Sequence, residues 1–111
     1  MLTEKDYCDY DTYVALEELG YPEVMAFNKP FLLYEVQKWL REEKNIDILI
    51  ELEIKDIHLS SKYYSIHISY MSRFRREFKY VLKTFDSYEE ALAEGIKGAV
   101  KILKEYETIL R

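Results

Sequence analysis

At 111 residues, with 49% apolar and 33% charged side chains, the chain has the length and composition of one globular domain. Its single cysteine, Cys8, excludes an internal disulfide and a thiolate metal site, and no apolar run approaches the roughly 20 residues needed to cross a bilayer. The formal charge of −5 is unevenly spread: residues 1–61 carry 6 basic and 14 acidic side chains, residues 62–84 carry 6 and 1, and residues 85–111 carry 4 and 6. A basic middle block on an acidic protein matters more for partners than the total does.

The N-terminal Met1-Leu-Thr-Glu-Lys-Asp-Tyr is polar and lacks an apolar targeting segment, so a cytoplasmic protein is expected. Residues 1–10 read as an arm and residues 11–45 as helical. Asp11 or Thr12 is a candidate cap for a short helix through Leu19, and Gly20 permits the left-handed backbone that ends helices. The second helix is predicted from Pro30 to Glu43, since proline at a first helical position sacrifices no needed hydrogen bond. Leu32, Leu33, Val36, Trp39 and Leu40 recur there at helical spacing, with Asn45 as the stop.

Residues 46–85 read as three strands: Ile46–Ile54, Lys62–Tyr70 and Phe78–Phe85. Alternation puts Ile46, Ile48, Ile50, Leu52 and Ile54 on one face of the first. A hairpin centred on His58 pairs Ile50 with Ile66 and Ile48 with Ile68. A second hairpin centred on Phe74 pairs Ile66 with Leu82, Ile68 with Tyr80 and Tyr70 with Phe78. The opposite face is then Asp47, Leu49, Glu51 and Glu53, next to Tyr63, Ser65, His67 and Ser69, next to Lys79, Val81 and Lys83, with Phe85 at the end. Residues 87–110 form the last helix, opened by the capping box Ser87-Tyr-Glu-Glu90. Its stripe includes Ala91, Gly95 and Ala99, four apart, which allows close approach to a sheet. The expected fold class is α+β, a three-stranded antiparallel sheet with helices packed on one face, in a single domain.

Eleven tyrosines belong at the core boundary or in an interface, because each ring is large and each hydroxyl needs a partner. Chemistry is scarce. His58 and His67 are too few for a metal site and lack ligand spacing. Cys8 sits among Asp6, Asp9 and Asp11, whose charge disfavours a thiolate. There is no GxSxG elbow and no glycine-rich phosphate loop. The expectation is a non-enzymatic protein-interaction module without catalytic residues, cofactor or metal. It would engage a protein partner or a second copy through the open sheet face (Tyr63, His67 and Val81) or an edge strand. The alternative is nucleic-acid binding through the basic hairpin, where Arg73, Arg75, Arg76, Lys79 and Lys83 interleave with Phe74 and Tyr80. No membrane association is expected.

The order helix, three strands, helix over residues 30–110 resembles the double-stranded-RNA-binding domain. That family grips RNA through a lysine-rich start to its last helix and through its first helix. Here those positions read Asp86-Ser-Tyr-Glu-Glu-Ala and Glu35, Glu42 and Glu43, so no RNA-gripping residue carries over. In sequence, Tyr13-Val-Ala-Leu-Glu-Glu-Leu-Gly-Tyr21, Tyr34-Glu-Val-Gln-Lys-Trp-Leu-Arg-Glu-Glu43 and Phe85-Asp-Ser-Tyr-Glu-Glu-Ala-Leu92 resemble a family of short uncharacterised proteins from Bacteroides-type bacteria and their mobile elements. The resemblance implies a bacterial origin and no particular activity.

Overall fold

A computed structural model describes residues 6–22, 31–53, 63–72, 75–83, 85 and 87–110. Within it run α1 (Tyr10–Glu18), α2 (Leu33–Glu43), β1 (Ile46–Glu53), β2 (Tyr63–Ser72), β3 (Arg75–Lys83) and α3 (Tyr88–Leu110). The strands form one antiparallel sheet in the order β1-β2-β3, and the expected α+β architecture is present.

Helix α1 begins two or three residues earlier than Asp11 or Thr12 would set it. Asp9 is the cap: its carboxylate accepts from the Thr12 backbone N–H at 2.8 Å, satisfying one of the orphan donors of the first turn. Gly20 ends the helix at φ 92°, in the left-handed region. Asn45 also adopts a positive φ, 55°, after α2, a conformation asparagine tolerates better than most side chains. The predicted start at Pro30 lies outside the described residues. The described helix begins at Leu33 after the extended Leu32.

The first described residues are no arm. Tyr7 bridges Leu32, the Cys8 N–H donates to the Phe31 carbonyl at 2.9 Å, and Cys8 itself is buried. Beside this clasp an aromatic cluster runs from Tyr13 to Phe31 (5.0 Å between centroids), Phe31 to Tyr21 (4.4 Å) and Tyr21 to Trp39 (5.1 Å). Several of the tyrosines thus serve the core, as Tyr64 does within the sheet.

Leu33, Val36 and Leu40 of α2 and Ala91, Leu92, Ile96 and Ala99 of α3 close over Ile46, Ile48, Ile50, Ile66 and Ile68. Gly95 brings α3 onto the sheet: a Cβ there would lie 2.8 Å from Ile48 Cγ2 and 3.2 Å from Ile66 Cγ2. The Ser87 hydroxyl accepts from the Glu90 N–H at 3.2 Å, one half of the expected capping box. Helix α3 lies over β1 and β2, and α2 over β1, so β3 extends past the helical layer.

The β1–β2 register matches expectation, with Ile48 opposite Ile68 and Ile50 opposite Ile66. The β2–β3 register does not. Ser72 pairs with Arg75, Ile68 with Lys79 and Ile66 with Val81. The link therefore holds two residues, not the odd number that centring on Phe74 requires, and the single-residue difference exchanges the two faces of β3. Val81 is consequently on the helix side, partly buried against the core, and Lys79 shares that side. Phe78 and Tyr80, expected inside, stand on the uncovered face opposite Ser69 and His67. Phe85, expected at the end of the open face, packs against the core. The reason is the uncovered position of β3: charged side chains on its helix side reach water past the edge of α3, so burial does not enforce the other register.

Candidate interaction surface

The uncovered face is built as rows across the sheet. Asp47, Ser69 and Phe78 form one, and Leu49, His67 and Tyr80 the next. Phe78 is 76% exposed, and Leu49 and Tyr80 are each 53% exposed. Met71, at the end of β2, adds another exposed apolar side chain. Isolated surface apolar residues are ordinary, and the convergence of several on one sheet face makes that face the candidate contact surface.

His67 sits at the centre with its ring edge-on to Tyr80, 4.8 Å between centroids at 63°. Its Nε2 lies 3.3 Å from the Ser65 hydroxyl and 3.7 Å from Glu51 Oε2. Serine, histidine and glutamate in a row invite a hydrolytic reading. A relay, however, needs the hydroxyl on one ring nitrogen and the carboxylate on the other. Here both approach Nε2, and Ser65 is 0% exposed, so a substrate cannot reach its oxygen. No group of three metal-ligating side chains exists among the described residues.

The basic hairpin does not present one surface. Arg75 is ion-paired with Glu77 at 2.8 Å. Arg76 leans across the uncovered face, donating to the Ser69 hydroxyl and to Asn45 Oδ1 at 2.9 Å each. Lys79 points to the opposite side, where it lines a 230 Å³ groove between β3 and α3 with Ile66, Ile68, Val81, Glu94 and Lys101. Arg73 lies outside the described residues, and so do the side chains of Tyr63 and Lys83. Of the expected site residues, the structure therefore gathers only His67 and Arg76 on the uncovered face. Phe78 and Tyr80 were missed there because the two-residue link shifts β3 by one position and so exchanges its faces. The alternation of Arg75, Glu77 and Lys79 with Phe78 and Tyr80 carried the signal.

Cys8 is held as a thiol. Burial raises its pKa first, and the nearby Asp9 charge raises it further. Asp9, in turn, is held down to about 2 by the Lys97 ammonium at 2.8 Å and by the Thr12 hydrogen bond. Asp9 thus ties α1 to α3 through Lys97, and Cys8 lies in the clasp with Phe31. No described helix is long and apolar enough to cross a membrane. Compared with known proteins, the chain matches no protein-family model, no curated protein and no solved structure.

Proposed function

We propose that the protein is a small non-enzymatic interaction module that associates through the uncovered sheet face and the adjoining free margin of β3, foremost with a second copy of itself. The observation that carries this reading is Phe78, a phenyl ring 76% exposed at the middle of an edge strand, with Tyr80 and Leu49 exposed beside it on the same face. Burying a phenylalanine stabilises by about 1.5–3 kcal/mol, so leaving this one in water forgoes a gain that a partner recovers. The Ser65–His67–Glu51 geometry supports the absence of hydrolytic chemistry. The divergence of Arg75, Arg76 and Lys79 supports a protein partner over a polyanion, which favours basic groups gathered on one surface.

Light scattering across protein concentration tests the reading. The wild-type mass should rise towards that of a dimer, and Phe78→Glu should remain monomeric. A wild-type protein that stays monomeric at every concentration removes it.

A further inference from the structure

The hydrogen-bonding direction of every strand follows from one contact. Gln37 Nε2 on α2 donates to the Ile48 carbonyl at 2.8 Å, so the backbone of Ile48 is turned outward from the sheet. In an antiparallel ladder, outward and inward residues alternate, and both polar groups of a residue point the same way. Ile68, opposite Ile48, therefore turns its backbone towards β3, and Lys79, opposite Ile68, turns its own towards β2. The pairing of Ser72 with Arg75 around a two-residue link has the same phase. It follows that the N–H and C=O groups of Arg76, Phe78 and Tyr80 point away from β2. No described element lies beside them.

We propose, resting on the interaction reading above, that two copies of the chain join β3 to β3 across a two-fold axis at Phe78, giving one continuous six-stranded antiparallel sheet. The side chains select this register. With the axis at Phe78, Glu77 of each copy faces Lys79 of the other on the helix side. On the uncovered face the two Phe78 rings are neighbours, and Arg76 faces Tyr80 of the other copy, an arrangement that favours cation–π contact. Moving the axis to Glu77 opposes the two Glu77 carboxylates and sets Lys79 against Arg75. Moving it to Lys79 opposes two ammonium groups. Moving it to Tyr80 sets Glu77 against Lys83 but leaves Lys79 against Val81 and takes the two Phe78 rings apart. Like charges directly opposite are destabilising, so the strand is self-complementary at Phe78 and guarded at its neighbours. The outward backbone groups of Arg76, Phe78 and Tyr80 are those that this register pairs.

Tyr80→Pro separates the dimer from the fold. The Tyr80 N–H is not used by β2, and proline is tolerated where a strand's N–H faces outward. The far-UV circular dichroism should therefore be retained. Two hydrogen bonds per dimer are lost, each contributing about fivefold, so association should weaken about 25-fold in sedimentation. The register is read independently by oxidising Phe78→Cys, Lys79→Cys and Tyr80→Cys singly. Facing residues of a hydrogen-bonded pair lie about 5.5 Å apart between Cα atoms, within disulfide reach. Only Phe78→Cys should cross-link efficiently. Glu77→Lys should weaken association, and adding Lys79→Glu to it should restore association. A dimer that persists in Tyr80→Pro, or that cross-links best at position 79 or 80, overturns the inference and leaves the interaction reading standing. A wild-type monomer overturns both.

Discussion

Two glycines on one face of α3 should respond to the same substitution with opposite signs. Glycine to alanine within a helix stabilises by about 1 kcal/mol through propensity alone. At Gly95 the new methyl would lie 2.8 Å from Ile48 Cγ2 and 3.2 Å from Ile66 Cγ2. These are branch methyls next to the backbone in β1 and β2, and a stiff β-branched side chain cannot rotate them away. The helix must lift from the sheet instead, at an overpacking cost of about 1–3 kcal/mol. The net result for Gly95→Ala is a loss of about 1 kcal/mol, a fall of about 4 °C in Tm for a domain of this length. At Gly98 the new methyl would lie 2.9 Å from Ile68 Cδ1, the far end of a side chain that can turn aside. Gly98→Ala should therefore keep most of its propensity gain, a rise of about 0.5–1 kcal/mol. Urea denaturation of both variants measures the difference. The contact at Gly95 is checked in the background of Ile48→Ala, which removes Cγ2. There, Gly95→Ala should change from destabilising to neutral or stabilising. A gain of about 1 kcal/mol for Gly95→Ala in the wild-type background would refute the close approach of α3 to the sheet.

Asp9 joins the cap of α1 to Lys97 on α3, and Asp9→Ala should cost about 1 kcal/mol in denaturant titration. Its carboxyl is held at about 2 in the folded protein, below its ordinary value. The stability it contributes is therefore complete above about pH 4 and is lost as pH falls from there through about 2, a loss that Asp9→Ala should lack. Lys97, raised chiefly by its hydrogen bond to Asp9, contributes with the opposite sense: fully below its ordinary pKa and lost as pH rises through the raised one. Cys8, buried and with its thiol pKa raised, should react with an aromatic disulfide reagent only slowly in native protein and at the rate of a free thiol in denaturant. Gln37→Leu should cost about 1 kcal/mol, because the part-buried Ile48 carbonyl loses its donor. Faster amide exchange in β1 would accompany that loss.

Where burial was decisive, the sequence alone was enough. Ile46, Ile48 and Ile50 against Ile66 and Ile68 admit one register, since any slip of one residue would bring a full row of isoleucines into water. The small residues of α3 likewise announced a close approach that Gly95 makes. Legibility failed at β3 because both of its faces contain charge or exposed aromatics. With no helix above the strand, neither choice was penalised, and the length of the Ser72–Arg75 link decided it. The N-terminal clasp was missed for a related reason. Tyr7 and Cys8 contribute to a pairing with Leu32 and Phe31 that has no period to detect, only a partner distant in sequence. The exposed face of the sheet was thus legible in β1 and β2, while the side chains that β3 adds to it were exchanged for those of its other face.

The amide of Gln37, laid against the carbonyl of Ile48, has a consequence for how far such an assembly can extend. A sheet with two vacant sides propagates, each added molecule offering the next a fresh template, and the result is a fibre. Here α2 sets the Gln37 amide on an outward carbonyl of β1, so under the proposed β3-to-β3 pairing each molecule would close the sheet on its far side. Growth would halt at two.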